Sequence, residues 1–150
     1  RRLRCAIPEV AVTTDIMVGF PGETEEEFAA TCAFAESVGF SRIHVFPYSP
    51  REGTPAASFE HQVLPEIRER RSRKMVALSR KLEQNYMEQF IGRKETVLFE
   101  KAYNGKEGLV EGHTDHYIKA LVPGGPELEG QLLPVFLDGR EKDCLTGHVA

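Results

Sequence analysis

Glu23, Tyr48, Ser49 and Arg51 are the residues whose types and placement suit ligand chemistry. Glu23 closes the run Gly19-Phe20-Pro21-Gly22-Glu23, where a carboxylate meets the positive end of a following helix. Arg51 follows Tyr48-Ser49-Pro50; its planar fork can grip a phosphate or carboxylate, or it can simply close a surface loop. His44 alternates with Val45 in a β-like run, where a lone histidine is more often core or interface than catalytic. Cys5, Cys32 and Cys144 are far apart and odd in number, and no pair has the spacing of a zinc or cluster site. Arg68, Arg70, Arg71, Arg73, Lys74, Arg80 and Lys81 crowd one long helical stretch. Such a face is either solvated or a salt-sensitive grip on nucleic-acid phosphates.

These residues need elements to hold them. Thr13 to Val18 is β-branched and apolar, the pattern of a strand buried on both faces, within a first strand spanning Val10 to Val18. Pro21-Gly22 is a turn pair, since proline presets φ and glycine takes positive φ. Thr24 with Glu27 three residues on is a capping-box pattern. The helix it opens, about Thr24 to Val38, places Phe28, Thr31, Cys32, Ala35 and Val38 on one face, and Gly39 stops it. Arg42 to Tyr48 is the next strand, completing a βαβ unit. In folds of this kind ligands sit at the C-terminal strand ends, which puts Gly19 to Glu23 and Tyr48 to Arg51 on one functional face; a loop chosen for geometry alone is the alternative. One βαβ unit cannot bury its own sheet, so the chain is expected to be a fragment or to borrow strands. Tyr48 to Ala57 is loop, because Pro47, Pro50, Gly53 and Pro55 forbid a regular element. A long helix from about Glu66 to Phe90 follows, with Ile67, Met75, Leu78, Leu82 and Tyr86 as its apolar stripe. Arg1 to Pro8 reads as the tail of a helix.

From Arg93 onward glycines punctuate short β-rich runs at Glu95–Phe99, Gly108–Gly112, Tyr117–Val122, Gln131–Leu137 and Cys144–Val149. About five short antiparallel strands predict a small barrel resembling an OB-fold. The domain boundary is expected near Gly92, giving residues 1–92 and 93–150. The fold class is therefore an α/β partial parallel barrel followed by a small all-β barrel. Charged residues make up 28% of the 150-residue chain, which fits an ordered globular protein. The formal charge of −4 means that any nucleic-acid surface must be local. No apolar run is long enough to span a membrane, and the cysteine usage suits a reducing, cytoplasmic setting.

The run Thr-Thr-Asp-Ile-Met-Val-Gly-Phe-Pro-Gly-Glu-Thr-Glu-Glu-Glu-Phe from Thr13, followed by His-Val-Phe-Pro-Tyr-Ser-Pro-Arg-Glu-Gly-Thr-Pro-Ala from His44, resembles the radical-SAM methylthiotransferases. The second run looks most like the MtaB type, which acts on threonylcarbamoyladenosine beside the tRNA anticodon. The tail, with Gly-Leu-Val-Glu-Gly-His-Thr-Asp-His-Tyr-Ile-Lys, is similar to the family's TRAM domain, a small RNA-binding barrel. The resemblance implies an end of a radical-SAM TIM-like barrel over residues 1–92 and TRAM over 93–150. It implies S-adenosylmethionine and four-iron four-sulfur clusters as cofactors, a deoxyadenosyl radical that abstracts hydrogen from the target carbon, and a tRNA anticodon stem-loop as partner. The family's CxxxCxxC motif is missing here, so the cluster ligands, with the N-terminal cluster-binding and radical-SAM portions, are expected outside this chain, which alone should not turn over.

Carried over by motif, the strand at Thr14–Gly19 lies beside the adenosyl group. Backbone groups of Met17 and Val18 can bond the adenine, and Gly19 admits close approach. Asp15 either accepts from a ribose hydroxyl or substrate, or pairs with a neighbouring basic side chain. Glu23 either bonds a ligand ammonium or serves as a helix-start carboxylate. On the barrel, Arg93, Lys94, Lys101, Lys106 and Lys119 are candidate phosphate contacts, and Phe99, Tyr103, His113, His116 and Tyr117 can stack on bases, with some of these aromatics needed for core. Acidic residues outnumber basic ones beyond Gly92, so RNA binding there needs sidedness. The alternatives are a non-catalytic RNA-binding module, a fragment of a MiaB-type or ribosomal-protein methylthiotransferase, and a fragment of another radical-SAM enzyme.

Overall fold

A computed structural model describes residues 2–150; Arg1, the start of the expected helix tail, lies outside them. The chain divides into two compact units, Val12–Glu83 and residues 2–11 with Gln84–Ala150.

In the first unit, β1 (Thr13–Val18) and β2 (Arg42–Pro47) form a parallel pair joined by α2 (Glu25–Val38), and α3 (Pro65–Glu88) follows. Thr24 accepts from the Glu27 N–H at 3.1 Å while the Glu27 carboxylate accepts from the Thr24 N–H at 2.9 Å, so the capping box forms as its spacing predicts. Gly39 ends α2 in the left-handed region at φ 62°. Val18, Phe28, Ala35, Phe40, Ile43, Met75 and Leu82 make the core, with Ile16 and Val45 packed against it. The core thus takes the Ile16/Val18 and Ile43/Val45 face of the sheet. The opposite face, carrying Asp15, Met17, His44 and Phe46, is exposed. The expected burial of β1 on both faces is therefore corrected: α2 and α3 cover one side of a two-stranded sheet, and nothing in this unit covers the other. The loop after β2 also holds a short 3-10 turn at Pro55–Ser58, where the ring of Pro55 suits the first position and removes no needed donor.

In the second unit, a short α1 (Arg2–Ala6) precedes the barrel strands β3 (Lys94–Ala102), β4 (Leu109–Thr114), β5 (Lys119–Pro123), β6 (Leu132–Glu141) and β7 (Cys144–Val149). The barrel closes in the order β3-β4-β5-β7-β6. All strands expected from the turn signals are present, but not all pairs are antiparallel. The β6–β7 hairpin inserts β7 beside β5, and that closing pair is parallel, with Ala120 opposite Leu145. Inward residues alternate along each strand: Val97 and Phe99, Val135 and Leu137, with Val110, Ala120, Val122 and Leu145, are fully or almost fully buried. Tyr86, Met87 and Phe90 join this core from the end of α3 and the turn after it. Residues from Gln84 onward therefore belong with the barrel in its compact unit, because these apolar side chains pack into its core.

Candidate functional site

The C-terminal ends of β1 and β2 bring the two motif loops together. Val18 C=O accepts from Tyr48 N–H at 2.9 Å, and the Phe20 and Tyr48 rings meet edge-to-face at 5.2 Å. Phe59 adds a second edge contact to Phe20 at 6.2 Å. The Phe20-Pro21-Gly22-Glu23 turn closes with Glu23 N–H on Phe20 C=O at 3.0 Å, and Gly22 takes φ 86°, as the proline–glycine pair predicts.

Beneath this turn lies a buried ionic strut. Arg71, on α3, has a side chain only 4% exposed. It donates to Glu23 Oε2 at 2.6 Å, to Glu23 C=O at 3.0 Å and to Glu25 Oε1 at 2.8 Å, and stands over the Phe28 ring. Glu23 Oε2 also accepts from Gly19 N–H at 2.5 Å. Glu23 is therefore engaged within the fold, by Gly19 and Arg71. Gly19 adopts φ 72°, and a Cβ there would lie 2.3 Å from Arg68 Cγ. The close approach that Gly19 permits is taken by the Arg68 stem, whose guanidinium donates to Tyr48 C=O at 2.7 Å.

Arg71 is the residue whose structural role beneath this turn composition alone conceals. Its type suits the polar helical face, yet it stands four residues before Met75 and four after Ile67, in line with the apolar stripe. That spacing was the available signal. Three other helix cations are also paired: Arg70 with Glu25 at 2.6 Å, Arg73 with Glu69 at 3.0 Å and Lys81 with Glu36 at 3.6 Å. Much of the helix's positive charge is thus matched within the chain.

The remaining expected residues of this unit lie on or beside the open sheet face. Asp15 is exposed, stands opposite His44 in register, and forms no ion pair among the described residues. The alternative in which it pairs with a basic neighbour is not what the structure has. Met17 and Phe46 are opposite one another and 53% and 50% exposed. Val18 is buried, and its carbonyl is already taken by Tyr48. The Tyr48 ring is buried and its hydroxyl has no hydrogen-bond partner. Arg51 is exposed, its carbonyl accepting from Thr54. On the outer edge of β2 the Ser79 hydroxyl bonds both Ile43 N–H and C=O, at 3.2 and 3.1 Å, and so satisfies strand-edge groups that would otherwise seek another chain.

On the barrel the expected residues do not form one basic face. Lys101 and Lys119 both reach Glu111, each at 3.3 Å. Glu111 is 7% exposed. Burial raises its carboxyl, but hydrogen bonds from Lys119 and Lys101 and their charges outweigh this, and it ends below the ordinary value. The lysine pair therefore contributes about one net charge, not two. Arg93 pairs with Glu9 and lies over Phe90; His113 meets Glu100 at 3.0 Å. Lys94 is exposed opposite Phe136. Tyr117 is 88% exposed at φ 59°, the most available aromatic of the set, whereas Phe99 is core. Phe136 and His148, adjacent at 5.7 Å, form a second exposed ring pair that no motif in the sequence marks.

Glu111 makes acid sensitivity predictable. A carboxyl lowered in the folded state stabilises the fold above its unfolded value, about 4.5, and that stability is lost as pH falls toward and through the folded value. Glu111→Gln should therefore flatten the fall in barrel stability below about pH 4.5 relative to the unsubstituted chain, measured by urea unfolding across a pH series. An unchanged acid limb would mean that the lysine pairing contributes no linkage.

The cysteines do not fit an iron–sulfur cluster. Cys5 is exposed near the N-terminus, Cys32 lies on α2, and Cys144 is buried in β7; burial pushes the thiols of Cys32 and Cys144 up and disfavours the ligating thiolate. No helix among the described residues is long and apolar enough to cross a membrane.

Comparison with models of known protein families finds no match. Among curated proteins, the chain is 40% identical over 136 residues, 89% of its length, to threonylcarbamoyladenosine tRNA methylthiotransferase MtaB of Bacillus subtilis. It is 37% identical over 150 residues to the tRNA-2-methylthio-N(6)-dimethylallyladenosine synthase of Geobacillus thermodenitrificans, and 35% identical over 137 residues to that of Akkermansia muciniphila. The chain spans about 30% of the length of these relatives. The similarity thus runs through both the strand-end motifs and the β-barrel, and along nearly its whole length the chain resembles a part of tRNA methylthiotransferases of the MtaB and MiaB types.

Proposed function

We propose that this chain is the C-terminal part of a radical-SAM tRNA methylthiotransferase that modifies N6-threonylcarbamoyladenosine next to the anticodon. Residues 1–92 would supply the end of the radical-SAM barrel and residues 93–150 a TRAM-like RNA-binding barrel. The observation that carries the reading is the convergence of the Gly19–Glu23 and Tyr48–Arg51 loops at one edge of a sheet whose Asp15/Met17/Phe46 face is open. That face fits S-adenosylmethionine: an unpaired carboxylate for ribose hydroxyls at Asp15 and exposed apolar surface for adenine at Met17. When bound, that cofactor supplies the radical and the methyl chemistry. This chain's share is to bind and orient it: Arg71 and Glu23 stiffen the loop at Gly19, and Arg51 is free to take a carboxylate or phosphate. The chain has no residues fit to hold the iron–sulfur cluster, and without them it should not turn over alone. The closed five-stranded barrel supports an OB-like, TRAM-type assignment. Its candidate contacts to RNA are Arg93, Lys94, Lys101, His113, Tyr117 and Lys119. The threonylcarbamoyladenosine assignment rests on the 40% identity to the MtaB relative. A dimethylallyladenosine substrate is the second reading, since relatives named for it match at 35% and 37%.

The test is binding of the chain to an anticodon stem-loop RNA carrying threonylcarbamoyladenosine, over a salt series. Affinity should fall with salt by about 0.7 log units per decade for each phosphate neutralised on single-stranded RNA, and should exceed that for the dimethylallyl loop. Absence of binding at low salt would remove the barrel as an RNA reader; preference for the dimethylallyl loop would favour the second substrate.

A further inference from the structure

Across the barrel, carboxylates and histidines meet in pairs. His113 meets Glu100 at 3.0 Å and His148 meets Asp138 at 3.2 Å. One cluster differs. Glu95 on β3 and Asp115 and His116 in the β4–β5 turn converge with one ligand atom each, all within 4.8 Å of one another. Within it, Asp115 Oδ1 and His116 Nε2 are 3.7 Å apart, too far for a hydrogen bond. Two ligands bonded tetrahedrally to one ion at about 2.1 Å lie roughly 3.4 Å apart, so a small closure of these side chains would bring all three onto a common centre.

Glu95 supplies an independent indication. It is half-buried, and its side chain has no hydrogen bond or ion pair among the described residues. The nearby cation is not available to relieve this, because Arg93 is paired with Glu9. A negative group is thus held in a partly dry place facing a second carboxylate, a costly arrangement that a cation would relieve.

The donors are also held in place. The His116 ring packs against Phe90 at 4.9 Å. Thr114 pins the turn by three bonds: its N–H donates to Ile118 C=O at 3.0 Å, its C=O accepts from Tyr117 N–H at 3.0 Å, and its hydroxyl accepts from Ile118 N–H at 3.2 Å. Glu95 lies in the strand ladder opposite Val135.

We propose that Glu95, Asp115 and His116 form a binding site for a divalent first-row transition cation. Two carboxylate oxygens and one imidazole nitrogen, with the remaining positions open to water, suit Zn²⁺ or Mn²⁺; the imidazole disfavours Mg²⁺, and the absence of sulfur from the donor set disfavours Cu⁺. The inference stands on the barrel alone and does not depend on the substrate reading.

The experiment is a titration of the chelator-stripped chain, in a Cys5→Ser background, with ZnCl₂ and separately with MgCl₂. Calorimetry reads the stoichiometry, and NMR of the histidine side-chain nitrogens reads the ligand. The expected result is one saturable Zn²⁺ equivalent that moves the His116 ring signals, with Mg²⁺ much weaker. Glu95→Gln and His116→Gln should each weaken Zn²⁺ by at least about tenfold, as Asp115→Asn on the exposed turn should also do. Circular dichroism establishes that each variant is folded, and Asp115→Asn serves where either of the others is not. No saturable Zn²⁺ binding, full affinity in any folded variant, or ring shifts at His113 or His148 in place of His116 would each overturn the site.

Discussion

Replacing Arg71 by alanine should cost about 3–5 kcal/mol, the largest single-residue effect expected in the Val12–Glu83 unit. Its guanidinium is nearly sealed from water and satisfies Glu23 and Glu25 together, and Glu23 itself is only 14% exposed. Alanine leaves the Glu23 carboxylate partly buried with Gly19 N–H as its one remaining strong partner. It also opens a gap beside Phe28, over which the guanidinium stands. The contribution of Glu25 is small, since that side chain is more than half exposed. Urea unfolding of Arg71→Ala against the unsubstituted chain measures the loss. The double change Arg71→Met with Glu23→Gln should recover much of it, because it removes the buried charges together and fills the space. A loss below about 1 kcal/mol would show that the strut is hydrated and behaves as a surface pair. Because Glu23 also holds Gly19 N–H, the same substitution should loosen the Gly19–Glu23 loop, read as faster amide exchange at Gly19.

The second large effect belongs to the barrel. Gly112 faces Phe99 across β3–β4, and Gly147 faces Leu137 across β6–β7. A Cβ at Gly112 would lie 2.4 Å from Leu98 C=O, and one at Gly147 would lie 2.3 Å from Phe136 C=O. Both obstacles are main-chain atoms of the adjacent strand, so no side-chain rotation relieves them. The strands must part, which breaks ladder bonds in a closed barrel that has no free edge to absorb the shift. Gly112→Ala and Gly147→Ala should each cost about 3 kcal/mol, at the upper end for overpacking. For a unit of this size that lowers the melting temperature by about 12–24 °C. Thermal unfolding followed at barrel tyrosines reads it. A shift of only a few degrees would mean that the strands are already far enough apart to take a methyl group.

These two predictions bear on the proposed function in different ways. The Arg71 strut shapes the loops at the strand ends, so its loss should weaken any ligand held there. The glycines only keep the barrel closed, so their loss should reduce RNA binding in proportion to unfolding. Comparing the two classes of variant separates a binding defect from a stability defect.

Local chemistry written in neighbouring residues was legible in the sequence. The capping box at Thr24 and Glu27, the turn at Pro21-Gly22, the stop at Gly39 and the alternating barrel strands each depend on groups within a few positions of one another. The two motifs place the strand-end loops together, because parallel strands joined by one helix must end on the same side. What only the tertiary structure decided are the pairings that span long separations. Arg71 meets Glu23 across 48 positions, so whether it faces solvent or core depends on how α3 is rotated. Glu111 draws in Lys101 from the neighbouring strand as well as Lys119, which halves the charge those lysines present. Asp15 could have paired with a basic neighbour, but the side of the sheet it occupies is the one α2 and α3 leave open. Glu95, Asp115 and His116 are unremarkable along the chain, with 20 positions between the strand and the turn, and converge only because β3 and β4 pair in an antiparallel register that brings the β4–β5 turn back beside Glu95. Residue type sets what each of these groups can do; register and helix rotation set which partner it meets.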